Sequence, residues 1–497
     1  MNFESLKAAA ALPEIFLALA ACAILLVGIY GKKENSGAIC CRLGIVALAV
    51  TAVLTGMNFF GPGVGGNGVF SAPPVAAFNN MFIADPMARL LKIAVCLLSA
   101  GAFVYSRRYN RERGIFAGEY YVLGLFAVAG MMVMASSNHL LTLYLGLELM
   151  SLCLYAMIAC YRDDKLAAEA AMKYFVLGAL ASSMLLYGMS LLYGLAGSLE
   201  LSAISSTLGA IEHGNAAVAL AVVFIVVALA FKLGAVPFHM WIPDVYHGSP
   251  TSTTAFLGAA PKIAAFALLM RLLAGGLDDL FAMWQQMLLI LAILSVAAGN
   301  IIAIAQDNLK RMLAYSTIAH MGFFLFGMAS GGALGYSAAL FYVLIYAVMS
   351  LGAFGAILCL ARAGHESDRL DDLKGLSERS PWMAFLILIL MLSMAGIPPT
   401  AGFFAKLSVV QALVGADLVW AAVLAVVLAV AGAFYYLRII KLMYFDSPEG
   451  EGRESPVTAS ADARLLLSFN ALVIVAILPW INGLIDLCNE VIRRFAV

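Results

Sequence analysis

Charge is what this chain has least of. Its 29 Lys and Arg offset 29 Asp and Glu among 497 residues, and charged residues make up 12% of the total. A soluble globular protein carries about 25%, so this composition cannot clothe a water-facing surface. The balanced net charge of zero argues against a nucleic-acid partner. Cysteine ligand patterns are missing as well. Cys22, Cys96, Cys153, Cys160, Cys359 and Cys488 stand singly in apolar stretches and Cys40 and Cys41 are adjacent, with no C-x-x-C and no Cys/His cluster. That argues against an iron–sulfur cluster, zinc or haem held by this chain. Long polar segments are lacking too. The longest breaks are Gly61–Asn79, Ala196–Asn215, Arg362–Ser380 and Asp446–Asp462, which leaves no room for a soluble domain. The last of them contains SPEGEGRESP, a linker by composition.

What is abundant is apolar sequence, 63% of the chain. Runs long enough to cross about 30 Å of hydrocarbon recur from end to end. They predict spans at 10–30, 38–60, 80–105, 115–135, 138–161, 166–195, 215–243, 252–274, 283–305, 309–330, 335–361, 382–414, 418–444 and 464–490. The expected fold class is therefore all-α, a polytopic membrane protein of about fourteen transmembrane helices. The first run follows Glu4 and Lys7 without a convincing cleavage site, and reads as a retained helix rather than a signal peptide.

Basic residues alternate from loop to loop. Lys32 and Lys33, then Arg107, Arg108, Arg111 and Arg113, then Arg162 and Lys165, then Lys310 and Arg311 follow the first, third, fifth and ninth spans. Arg362, Arg369, Lys374 and Arg379 follow the eleventh, and Lys441 and Arg453 the thirteenth, whereas the loops after most even-numbered spans carry no Lys or Arg. The positive-inside rule then places both termini outside, against the minor dissent of Arg493 and Arg494.

Several charges fall within the apolar runs, where one costs about 2.5–3.5 kcal/mol at a helix centre. Glu148 sits in the middle of the fifth span, Lys232 in the seventh, Lys262 in the eighth, and Lys406 in the twelfth behind a double proline. Lys173 lies about two turns into the sixth span, within snorkelling reach of the inner surface. Structural ion pairs would account for Glu148 with Lys232 but leave two lysines unexplained. A proton relay accounts for all of them. Burial and neighbouring cations favour the neutral amine, and a carboxylate favours the charged one, so a movable Glu148 charge beside Lys232 would act as a gate. Two spans are also interrupted, the seventh by Pro237 and Pro243 and the twelfth by Pro398 and Pro399 behind Gly396. Paired broken helices of opposite direction mark an inverted-repeat transporter. His239, beyond Pro237, and His320, inside the tenth span, are candidate participants, while His139 reads as interfacial.

The segments YLGLELMSLCLYAMIA, AAMKYFVLGALASSMLLYG, FKLGAVPFHMWIPDVYHGSPTSTTAFL, KRMLAYSTIAHMGF and LSMAGIPPTAGFFAKL resemble the antiporter-like, proton-pumping membrane subunits of respiratory complex I, and among them the subunit-N branch. The resemblance extends from FIADPMARLLK to the final span. It implies two inverted five-helix repeats with discontinuous helices 7 and 12, divided as residues 1–114, 115–274, 275–445 and 446–497. It also implies pumping roles for Glu148, Lys232, Lys262 and Lys406, with Lys173 as a further matching lysine. The chain ends just past the fourteenth span, without the long lateral helix of subunit L, and has Lys406 where subunit M is acidic. Expected partners are the other membrane subunits of complex I and the bilayer. NADH, FMN, iron–sulfur clusters and quinone would belong to the assembly rather than to this chain. The rival readings are a cation/proton antiporter subunit without redox input and a scaffold whose buried charges only fix packing.

Overall fold

Backbone amides and carbonyls cannot stay unpaired in hydrocarbon, and a chain this apolar meets that demand with helices. The computed structural model describes residues 7–31, 33–59, 74–115, 117–210, 215–362, 365–447 and 459–495. Lys32, Arg453 and most of the SPEGEGRESP stretch lie outside the described residues. The first helices are α1 (Leu12–Tyr30), α2 (Lys33–Phe59), α3 (Pro86–Glu112), α4 (Gly118–Ala135), α5 (Leu140–Ala159) and α6 (Lys165–Ala196). The short α7 (Leu201–Leu208) leads to α8 (Ala216–Leu233), α9 (Trp241–Gly248) and α10 (Thr251–Leu269). The second half comprises α11 (Phe281–Ile304), α12 (Leu309–Ser330), α13 (Gly332–Leu360), the single turn α14 (Leu376–Arg379), α15 (Pro381–Ala395), α16 (Ala401–Gly415) and α17 (Val419–Tyr444). The chain closes with α18 (Ala461–Ala476) and α19 (Ile481–Phe495).

Among the described residues twelve helices are long and apolar enough to cross a membrane, and α18 with α19 makes a thirteenth crossing bent by 49°. The two shorter apolar helices α15 and α16 follow one another across the break at residues 396–400. Three details differ from the sequence reading. The last span is not continuous, because Pro479 in the 3-10 turn Leu478–Trp480 ends α18. A two-stranded antiparallel hairpin pairs β1 (Val75–Ala77) with β2 (Phe82–Ala84), Val75 opposite Ala84, where the pattern suggested a loop through Asn79 and the start of the third span from residue 80. Lys310 is not a loop charge: it sits in the first turn of α12, is only 2% exposed, and donates to Ser249 O at 2.7 Å.

The layering decides where a charge can be tolerated. α10 is buried along its whole length between α13 and α3, and α12 packs against α11, α13 and α16. α1, α17 and α18 present many exposed apolar side chains, among them Leu19, Val427, Val430 and Phe469. Lys262 on α10 and His320 on α12 are therefore held inside protein, away from lipid.

Each end of the bundle is tied by an ion pair, half-buried at one end and buried at the other. At the end where α3 finishes, Arg113 Nε meets Glu366 Oε1 at 2.9 Å. The Tyr109 hydroxyl donates to the same carboxylate at 2.5 Å and the Thr251 hydroxyl to its other oxygen at 3.0 Å. This joins α3, α10 and the segment after α13. At the opposite end Arg271 Nη2 meets Asp85 Oδ2 at 2.8 Å, and Arg271 Nε donates to Ala135 O at 3.0 Å. Breaking a buried pair from one side costs about 3–5 kcal/mol because the partner charge is stranded, whereas replacing both sides with apolar residues is often neutral. Arg271→Ala is accordingly expected to lower the thermal midpoint and membrane yield of the protein sharply. The double variant Asp85→Leu with Arg271→Met should recover most of the loss, as read by melting curves in detergent.

Candidate functional site

Two apolar helices, α8 and α15, are ended by a glycine, and they stop in the same way. α8 ends at Gly234, which adopts φ 79° and ψ 36°. Its N–H donates to Phe231 O at 3.0 Å, and the next N–H, Ala235, reaches Ala230 O at 2.8 Å. α15 ends at Gly396 with φ 81° and ψ 40°. Its N–H donates to Ser393 O at 3.0 Å and Ile397 N–H to Leu392 O at 3.0 Å. This is the Schellman arrangement, for which a left-handed glycine is the usual residue. The stop therefore comes before Pro237 and Pro398, which only prevent the helix from resuming.

Helix termination leaves carbonyls without partners, and in both places a lysine supplies them. Lys262 Nζ donates to Leu233 O at 3.1 Å. Lys406 Nζ donates to Met394 O at 3.1 Å and Ala395 O at 2.9 Å. Each ammonium also lies over an aromatic ring, Lys262 at 5.6 Å from Trp241 and Lys406 at 5.4 Å from Phe323. The negative end of a helix dipole and a ring face both favour a cation. Other freed groups are met by side chains: Trp241 Nε1 donates to Phe231 O at 2.8 Å, Val236 N–H to Ser295 Oγ at 2.9 Å and Gly402 N–H to Ser393 Oγ at 3.1 Å.

The structure brings Lys232 and Lys262 together. Both line a cavity of about 20 Å³ with Tyr174, Trp241 and Pro261, which is room for about one water. Lys232 Nζ donates to Ser151 Oγ at 2.9 Å. Ser151 lies one turn beyond Glu148 on α5. Among the described residues no ion pair joins Glu148 to Lys232, and Glu148 Oε1 is buried without a protein hydrogen-bond partner.

The structure likewise brings His320 and Lys406 together, at a cavity of about 10 Å³ that they share with Asn300, Tyr435 and Tyr436. His320 Nδ1 pairs with the Tyr342 hydroxyl at 2.7 Å and Nε2 with the Tyr436 hydroxyl at 3.1 Å. Tyr436 continues to Ser316. Every nitrogen of the ring is thus held by a group that can both give and take a proton.

Two of the sequence candidates, Lys173 and His239, lie apart from these clusters, as does the interfacial His139. Lys173 is partly exposed and pairs with Asp244 Oδ2 at 2.7 Å and Glu169 Oε1 at 2.8 Å. His239 lies in the turn between α8 and α9, its Nδ1 buried and without a protein partner, and it does not line the lysine cavity. His139 caps α5, its Nδ1 accepting from Leu141 N–H at 3.2 Å. Asp244 was missed from sequence. It accepts from Lys173 of the first half and, at 3.0 Å, from Arg311 of the second. An Asp directly after Pro243 at the edge of an apolar run was the available signal. Ser151 could have been found by its spacing from Glu148, whereas Tyr342 and Tyr436 carry no pattern that separates them from packing aromatics. Among the described residues, no group of three or more His, Cys, Asp or Glu side chains is placed to hold a metal ion.

A model of the NADH:quinone oxidoreductase/Mrp antiporter transmembrane family matches residues 137–432. The protein named NADH-quinone oxidoreductase subunit N in Thiobacillus denitrificans is 54% identical over 494 residues, covering 99% of both chains. The chain belongs to this family. A chain of respiratory complex I from Thermus thermophilus with bound aureothin superposes with a TM-score of 0.79 at 30% identity, covering 95% of this chain and 98% of that one. A chain of the Mrp complex from Dietzia sp. DQ12-45-1b shares the fold, with a TM-score of 0.81 at 21% identity and coverage of 99% and 98%. All of the sequence-predicted site residues fall within the stretch matched by the family model.

The twin stops yield a direct test. A Cβ at Gly396 would lie 2.7 Å from Lys406 Cδ, and the left-handed conformation costs a non-glycine residue about 1–2 kcal/mol. Gly396→Ala should therefore displace the Lys406 ammonium from Met394 O and Ala395 O. The expected outcome is an assembled protein whose proton transport, followed by dye quenching in membrane vesicles, falls by roughly tenfold.

Proposed function

We propose that the chain is the subunit-N-type, proton-translocating membrane subunit of a bacterial NADH-quinone oxidoreductase. NADH oxidation and quinone reduction, with the FMN and iron–sulfur clusters that serve them, take place in other subunits. Quinone reaches this chain's work only through the assembly, and its partners are the neighbouring membrane subunits. The observation that carries the reading is the pair of helix stops, each holding a lysine ammonium, buried at Lys262 and half-buried at Lys406, beside a cavity the size of one water.

In this reading residues 115–274 and 275–445 are two inverted five-helix units, flanked by residues 1–114 and by the linker and last span at 446–497. The matching stops at Gly234 and Gly396, on helices that run in opposite directions, support the division. The end of the bundle bearing the basic loops faces the cytoplasm, which places both termini on the periplasmic side of the inner membrane.

Glu148, Lys232, Lys262, His320 and Lys406 form the proton path. Glu148 is the mobile charge. Swung toward Lys232, it holds that ammonium protonated; swung away, it leaves Lys232 to Ser151 and frees the proton for Lys262 across the shared cavity. His320, with hydroxyls on both nitrogens, passes a proton by exchanging tautomers, and Lys406 delivers it to the outer half of its broken span. Lys173 acts at the cytoplasmic end, where Asp244 ties it to Arg311, and His239 takes part only through intervening water. The work done is about 2.3 kcal/mol per charge for each 100 mV.

Vesicles that couple NADH oxidation to acidification test this reading. A relay group contributes about 10²–10⁴ to a proton transfer. Lys232→Ala and Lys262→Ala should each reduce pumping by about a hundredfold or more and slow NADH oxidation with it, while the complex stays assembled. Glu148→Gln should behave likewise. Full pumping in these variants would reduce the buried charges to packing devices. Lost pumping with undiminished NADH oxidation would favour an antiporter without redox coupling.

A further inference from the structure

A third cavity, sharing no residue with the lysine cavities, lies among α1, α2, α3 and the hairpin. Its volume is about 390 Å³, and Lys7, Pro13, Thr55, Ala84, Arg89 and Lys92 are among its walls. Three of those side chains are cations. The nearby carboxylates are already engaged. Glu14 pairs with Lys92, whose ammonium also lies 4.8 Å from the Phe82 ring. Asp85 is held by Arg271 at 2.8 Å and by Ala88 N–H at 2.7 Å.

Arg89 has no ion pair of its own: the nearest carboxylate, Asp85, lies within electrostatic reach but is shared with Arg271. The residue is 7% exposed. Its Nη2 donates to Ala84 O at 3.3 Å, and its Nε is buried with no protein partner. A guanidinium is almost always charged and presents donors in a planar fork. Burying one without a counter-charge of its own is costly, so the cavity has the makings of an anion site. Lys7, exposed at the rim, adds a second positive charge.

We propose that this cavity binds the phosphate of an anionic phospholipid, held by Arg89 and Lys7, with the lipid's glycerol and first acyl carbons against the apolar wall. The fork of Arg89 fits two phosphate oxygens at once. Ala9, Ala10, Pro13, Val75 and Ala84 line the rest of the space, and a free phosphate would leave that wall bare. The depth also fits. Lys92 lies six residues inside the start of α3, about 9 Å at 1.5 Å per residue, so the cavity runs from the headgroup zone to the edge of the hydrocarbon. Under the topology proposed above, the lipid comes from the periplasmic leaflet. The site itself is independent of the proton path.

The test uses the assembled complex, purified in detergent, stripped of lipid, and incubated with phosphatidylglycerol that carries a photoreactive group next to its glycerol. Label is expected on peptides from α1 and α3. Unlabelled phosphatidylglycerol should suppress it, and millimolar inorganic phosphate should not. Losing one charge-assisted bidentate contact should weaken labelling about tenfold in Arg89→Gln. Lys7→Gln, at an exposed position, should weaken it a few-fold and make it less salt-sensitive. Equal labelling of the wild type and Lys7→Gln, or of the wild type and an assembled Arg89→Gln, would overturn the proposal. So would suppression by inorganic phosphate alone, which would make the ligand a free anion.

Discussion

A helix that ends in the middle of a bilayer must find partners for its last carbonyls, because neither lipid nor bulk water will supply them. Much else in this protein follows from how that demand is met at Leu233 and again at Met394 and Ala395. A lysine ammonium answers it electrostatically as well as by hydrogen bonding, since it sits at the negative end of the helix dipole. The same contact makes the lysine's proton part of the fold. Whenever the amine gives that proton up, the carbonyl is held less tightly, and the stop in the helix feels the change. Under the relay proposed above, proton occupancy and backbone geometry are linked through one lysine contact in the first half and two in the second.

Polar contacts join the two halves at several places, and one cluster of them lies near one end. Asp244 belongs to the first broken span, yet it holds Arg311 on α12 together with Lys173 on α6. Lys310, next to Arg311, donates to the backbone of Ser249 just before α10. A shift of α9 therefore cannot leave α12 untouched, and α12 carries His320. Between these points the fully buried α10 lies against α13, so movement passes through packed protein rather than through lipid.

How much of this was legible in the sequence depended on what each residue had to do locally. Lys262 and Lys406 could be read because a lone charge in an apolar run is costly wherever the run lies in a membrane. The interruptions were legible as well, but prolines drew attention from Gly234 and Gly396, which do the stopping. Lys310 was misread because position near a span end looks the same whether the side chain turns to water or into protein. The partners of Arg271, Lys92 and Arg113 lie far away in sequence, at Asp85, Glu14 and Glu366, and no periodicity announces such pairs. Ser151 and the tyrosines around His320 are ordinary in their helices, and only tertiary proximity gives them meaning. Nor does local sequence reveal that Glu148 and Lys232 stand unpaired, since their spacing fits either state.

The two small cavities bear on a different property, insulation. Voids of about 20 and 10 Å³ each admit about one water, and one water does not make a continuous wire. A membrane that stores energy as voltage loses it through any permanent conductor. By this geometry the proton path proposed above is interrupted at rest, and under that proposal it becomes continuous only while the space around the lysines enlarges. The tight packing of α10 and α12 then serves to keep the battery charged.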